Sequence, residues 1–117
     1  MLNNDVRTLN QQVTDTVEHL PASGQPDQLG IKELLVPLQR VINAENSLSV
    51  EDKTEALKQV QALAEAGKAP ENEAKRSQAH TAIRVLRGMI AELPEATDFN
   101  QVATRLLPQL DVIFGLG

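Results

Sequence analysis

The chain has 117 residues, a formal net charge of −5 at pH 7, and no cysteine, tryptophan or tyrosine. That length supports one domain with a single core, which buries roughly two thirds of the unfolded surface. The missing cysteines exclude disulfides, thiolate metal sites and a cysteine nucleophile, and no Tyr or Trp ring is present to stack on a base.

Residues 1–20 read as a helical arm. Leu2, Val6, Leu9, Val13 and Leu20 follow the 4, 3, 4, 7 spacing of a narrow coiled-coil seam, with Thr16 at the remaining position. The other faces are Asn, Gln, Thr and acid, so little apolar surface is offered for docking. A seam this short most often lies on its own domain; packing on another chain is the alternative. Asp5, Arg7, Asp15 and Glu18 interrupt any apolar run, which argues against a signal peptide. His19, near the end of the arm, suits the negative end of a helix dipole and reads as structural. Residues 21–30, with their Pro, Ser, Gly and Asp, read as a linker to a bundle domain over 31–117.

Ile31, Leu34, Leu35, Leu38, Val41 and Ile42 then form one apolar stripe, with Pro37 inside it. Proline lacks the amide donor and crowds the carbonyl of Glu33, so this helix is expected to kink or to begin close to the proline. A second helix over 49–67 places Lys53, Ala56, Leu57, Val60, Leu63, Ala64 and Gly67 on one face. Ser49 followed by Asp52 resembles a capping box, Glu55 and Lys58 are spaced for an ion pair, and Gly67 suits a left-handed helix end.

The next helix is expected to start after Pro70, in a first turn made acidic by Glu71 and Glu73, and to stop at Leu93 before Pro94. Its stripe is Ala79, Ala82, Ile83, Leu86, Met89, Ile90 and Leu93. The last helix is expected to be capped by Asp98 with Gln101, and to line one face with Phe99, Val102, Ala103, Leu106, Leu110, Ile113 and Phe114. Pro108 sits inside it as Pro37 does upstream. Strand signals are absent. The fold class is therefore all-α: a small bundle of four main helices plus the N-terminal helical arm.

Catalytic constellations do not emerge from this pattern. His19 and His80 stand on different helices, and neither has a second histidine or a carboxylate at i+4 to form a metal pair. No Gly-rich phosphate loop or nucleophile elbow is present. No run approaches the eighteen or so apolar residues of a membrane span. A cytoplasmic, non-enzymatic protein without metal or cofactor is the expectation.

Two features invite a binding function instead. Arg76, His80, Arg84 and Arg87 fall on one side of their helix, and residues 69–93 carry four basic against three acidic side chains in an otherwise acidic chain. Such a stripe suits an acidic partner, a phosphate or a nucleic acid backbone, although overall acidity makes nucleic acid unlikely. The ordinary alternative is pairing with Glu51, Glu55 or Glu65 of the neighbouring helix, or with the arm. The second feature is Val36, Val85, Leu107 and Val112, which lie beside or off the assigned core faces and would form a docking patch if contiguous.

Lys32 to Leu35, LSVEDK over 48–53 and EALKQVQALAEAGK over 55–68 together resemble the helical module near the C-terminus of many cyanobacterial pentapeptide-repeat proteins. Leu86 to Gly88, AELP over 91–94, LLP over 106–108 and the Phe114, Gly115 ending continue the resemblance, which spans about residues 30–117. It implies an accessory or interaction segment with no activity, cofactor or catalytic residue to carry over. The tandem pentapeptides themselves are missing. Gly88 is the shared position with a physical reading: mid-helix glycine costs about 1 kcal/mol, which a close helix crossing would explain.

The function expected from these readings is protein–protein interaction or self-assembly, through the arm seam (Leu2, Val6, Leu9, Val13) or the off-stripe valines (Val36, Val85, Val112), with Arg76, His80, Arg84 and Arg87 supplying charge complementarity. Anion or nucleic acid binding by that stripe is the alternative.

Overall fold

A computed structural model describes the backbone of residues 2–20, 30–69 and 72–115, and the side chains of those residues from Val6 onward. These residues form five helices and no strand: α1 (Leu2–Glu18), α2 (Ile31–Ala44), α3 (Val50–Gly67), α4 (Glu73–Ala91) and α5 (Asp98–Ile113). The predicted linker lies outside the described residues apart from Gly30, and so do Pro70 and Glu71.

Local chemistry accounts for most of the boundaries. Before α2, the Gly30 amide donates to Glu33 Oε1 at 3.0 Å, so Glu33 reaches back across the first turn. Ser49 Oγ accepts from the Asp52 amide at 3.1 Å, as its spacing predicts. Asn72 Oδ1 does the same for the Lys75 amide at α4. The cap expected from Asp98 is not formed: Thr97 occupies the N-cap position, without a side-chain bond. Glu45, at the end of α2, has its carboxylate engaged by Ser47, whose amide donates to Oε2 at 3.2 Å. The end of α4 is closed from α5. Asn100 Nδ2 donates to the carbonyls of Ile90 (2.8 Å) and Leu93 (3.2 Å), closing the C-terminal end of α4.

Pro37 and Pro108 both lie within continuous helices. α2 begins six positions before Pro37 rather than near it, because the side chains on either side of the proline, Leu34, Leu35, Leu38 and Ile42, are all fully buried. Each such side chain contributes roughly 1.5–3 kcal/mol, which together outweigh the cost of about 3 kcal/mol for an interior proline.

The four helices α2 to α5 close a ring in which α3 packs on α2 and α4, and α5 packs on the same two from the other side. Leu57 and Leu63 of α3, Ile83 and Leu86 of α4, and Phe99, Leu107, Leu110 and Phe114 fill its centre with those α2 residues. Leu107 thus belongs to the core and not to an exposed patch. Lys53, assigned by spacing to the buried face of α3, is half-buried instead, and its Nζ donates to the Asn43 carbonyl at 3.1 Å.

α1 lies along α3 outside this ring, with lighter contact to α2. Its Val13 and Val17, with Leu20 just past its end, are buried in the same core cluster, against which Val6 and Leu9 pack half-buried. Val17 takes the place that spacing gave to Thr16; Thr16 stands at the boundary, where its hydroxyl accepts from Gln61 Nε2 at 3.0 Å. Polar side chains set the register with α2. The Gln39 amide nitrogen reaches Asn10 Oδ1 (2.7 Å) and Thr14 Oγ1 (2.9 Å), and Asn43 Nδ2 reaches the same Asn10 oxygen at 2.8 Å. The radius of gyration, 13.4 Å, matches the value of about 13 Å for one folded domain of this length.

Neither helical glycine plays its predicted role. Gly67 does not adopt a left-handed conformation, since Gly115 is the positive-φ glycine among the described residues. Gly67 is instead where chain elements crowd: a Cβ there would meet Ile31 Cγ2 at 3.0 Å and Leu20 Cδ2 at 3.3 Å. Gly88, expected at a close crossing, is exposed, and a Cβ would meet nothing within 4 Å.

Candidate functional site

α4 buries Ala79, Ala82, Ile83, Leu86 and Ile90. At 100° per residue, Arg76, His80, Arg84 and Arg87 then emerge together on one flank, about a quarter-turn from the buried stripe. All four are exposed. The predicted stripe is therefore a continuous surface about three turns long.

Its electrostatics differ along its length. Arg87 forms an ion pair with Asp111 of α5, whose side chain is only 12% exposed. This pairing was not anticipated: the flank that carries the arginines faces α5, whereas Glu51, Glu55 and Glu65 belong to α3 on the opposite side. Glu65 pairs with Lys68 of its own helix at 3.4 Å. Glu55 accepts from Gln59 Nε2 at 2.7 Å, so the expected pair with Lys58 is not formed. Arg76 extends toward the end of α5, where its Cζ lies 3.9 Å from the position of a Cβ at Gly115. That end carries the negative pole of the α5 dipole, which favours a guanidinium.

The middle of the stripe has less support. Arg84 Nη2 stands 3.4 Å from His80 Nε2, and since arginine only donates, the imidazole nitrogen is the acceptor. No carboxylate among the described residues pairs with Arg84. Beside it on the same exposed side are Ser77, Thr81 and Gly88, so the surface around the cations is low in relief.

The other predicted interaction residues are dispersed. Val13 is fully buried within its own bundle, and Val6 and Leu9 pack against it, so the arm seam is occupied inside the chain. The side chain of Leu2 lies outside the described residues. Of the off-stripe hydrophobes, Val36 is 37% and Val112 69% exposed, and Val85 is half-buried. Val36 lines a groove with Thr14, Glu18 and Arg40. Val112 stands on the outer face of α5 near the exposed Arg105, Pro108 and Gln109. One contiguous valine patch is not assembled. His19 behaves as anticipated: its Nδ1 donates to the Asp15 carbonyl at 2.6 Å.

Sequence reasoning missed Asp111, Asn100, Glu45 and Gln39. Two of them announced themselves as polar residues inside apolar runs, Asp111 before Val112 and Gln39 after Leu38. Among the described residues, no group of three His, Asp or Glu side chains is placed to hold a metal ion, and no helix is long and apolar enough to cross a membrane. No family model, curated protein or solved structure matches the chain. Fold and site together define an all-α helical bundle with a basic helix flank.

Proposed function

We propose that this chain is a non-catalytic protein-binding module that receives an acidic helical segment of a partner on the α4 flank. The observation that carries this reading is the convergence of four exposed cationic or hydrogen-bonding side chains on one helix flank of a net acidic molecule, with Arg84 unpaired by any described carboxylate. Arg87, held by Asp111, and Arg76, beside the end of α5, act as fixed points on either side of it. Gly88 adds to the reading. Its missing Cβ relieves no crowding within the chain, and it leaves room for a partner backbone to approach.

Attraction across such a surface fixes orientation and on-rate more than affinity, and salt weakens it. Fluorescence anisotropy with a labelled Glu-rich amphipathic helical peptide, its Lys-for-Glu counterpart and a single-stranded oligonucleotide tests the proposal. The acidic peptide is expected to bind, to lose at least about tenfold in affinity on Arg84→Glu, and to weaken with salt. Equal binding of wild type and Arg84→Glu would sink the reading, and preferential binding of the oligonucleotide would replace it with the nucleic acid alternative.

A further inference from the structure

A second concavity lies away from the α4 flank, where α1 crosses the turn between α2 and α3. Val6, Arg7 and Asn10 of α1, Asn43 of α2, Leu48 of the turn, and Val50 and Lys53 of α3 line a half-open space of about 350 Å³. This is at the small end of the 300–1,000 Å³ or so typical of ligand pockets.

Its walls are of two kinds. Val6, Leu48 and Val50 are half-buried hydrophobes that supply an apolar side. Arg7 and Lys53, from different helices, supply two positive charges, and neither is ion-paired among the described residues. The Lys53 ammonium spends one of its three donors on the Asn43 carbonyl, at 3.1 Å. The Asn10 and Asn43 amides are locked to one another through Asn10 Oδ1, which leaves the Asn10 amide nitrogen as a further donor. The acidic side chains of the α3 first turn, Glu51 and Asp52, are exposed and do not line the space. Glu45, which feels the Lys53 charge, has its carboxylate engaged by Ser47.

Two cations that line one concavity beside an apolar wall with no ion-pair partner among the described residues, in a chain with a surplus of five negative charges, call for a counter-ion of matching shape. We infer that this pocket binds a small aliphatic monocarboxylate, its carboxylate between Arg7 and Lys53 and its hydrocarbon tail on Val6, Leu48 and Val50. Arg7 is suited to a two-pronged hold on the carboxylate, and Lys53 adds a point charge. The inference is independent of partner binding at α4.

Two-dimensional amide NMR of the full chain, titrated with hexanoate, hexan-1-ol and inorganic phosphate, tests it. Hexanoate is expected to give saturable shifts at Val6, Arg7, Asn10, Leu48, Val50 and Lys53. Hexan-1-ol and phosphate, each lacking half of the complementarity, are expected to bind at least about tenfold more weakly, the scale of one charge-assisted contact. Arg7→Gln, at an exposed position whose loss leaves the fold intact, should weaken hexanoate by a similar factor, as should Lys53→Gln. Three results would overturn the inference: no saturable shift at these amides, phosphate binding as well as hexanoate, or hexanoate shifts centred on Arg76 and Arg84.

Discussion

The two sides of α3 are held by different chemistry. Toward α2 and α4, across which α5 closes the ring, the contacts are almost wholly apolar, built from fully buried leucine, isoleucine and alanine. Toward α1 three buried side chains, Val13, Val17 and Leu20, provide the apolar contact, Thr16 bonds Gln61 of α3, and Asn10 and Thr14 tie α1 to Gln39 and Asn43 of the adjoining α2. The ring of four helices thus carries the hydrophobic stabilisation, while α1 is positioned by hydrogen bonds that are individually worth about 1 kcal/mol net. Apolar contact is tolerant of small rotations, but an amide that donates to two neighbours is not. The polar seam therefore fixes where α1 lies, and with it the placement of Arg7 and Asn10.

The sharpest way to break this contrast is to remove a side chain from the ring. Phe99→Ala, at a fully buried position, is expected to cost about 3–5 kcal/mol by chemical denaturation and to unfold α1 together with the ring. An equal loss of amide protection in all five helices is the predicted hydrogen-exchange result. Gly67→Val comes next. The added atoms meet Ile31 and Leu20, so overpacking of about 1–3 kcal/mol is expected, with protection lost first in α1.

Gln39→Leu removes the donor shared by Asn10 and Thr14 and is expected to cost about 1–2 kcal/mol. Amide hydrogen exchange should place that cost in α1, with α4 and α5 protected as before; a loss spread evenly over all helices would contradict the division drawn above. Gly88→Ala acts in the opposite direction. Open space surrounds it, so a gain of about 0.5–1 kcal/mol is expected from helix propensity, seen as a raised denaturation midpoint, together with weaker binding of the acidic peptide.

The smallest effect concerns Glu45. The Ser47 hydroxyl beside it is the largest cause holding its carboxyl below the ordinary glutamate value; the Ser47 and Phe99 amides and the Lys53 charge add to this, and desolvation opposes it. A depressed folded-state value means that its stabilising contribution is present above the unfolded-state value and disappears as pH falls through the folded one. An NMR titration of the Glu45 side-chain carbon should show the low midpoint in the wild type and a return upward in Ser47→Ala. Its exposure keeps the effect on stability small.

Much of this was legible in the residues. The Ser49 cap, the stripes of α3, α4 and α5, and the common flank of Arg76, His80, Arg84 and Arg87 all follow from spacing along one helix, a property each segment carries by itself. Contacts between segments were less accessible. Leu107 reads as off-stripe on a single wheel, yet it is buried, because the hollow of a four-helix ring accepts a wider arc of α5 than one flat neighbour would. Asn100 of α5 closes the end of α4, and no local spacing encodes such a contact between helices.

By itself the sequence determined an all-helical chain, the faces its helices bury, and a basic flank on the fourth, since periodicity and capping act over only a few residues. Only the tertiary structure decided that α1 spends its seam on α3, that Gly67 and not Gly88 marks a crowded crossing, that Asp111 is the partner of Arg87, and that Arg7 and Lys53 meet across a pocket. Each of these depends on the distance between residues far apart in the chain, which is set when the cores of separate helices close on one another.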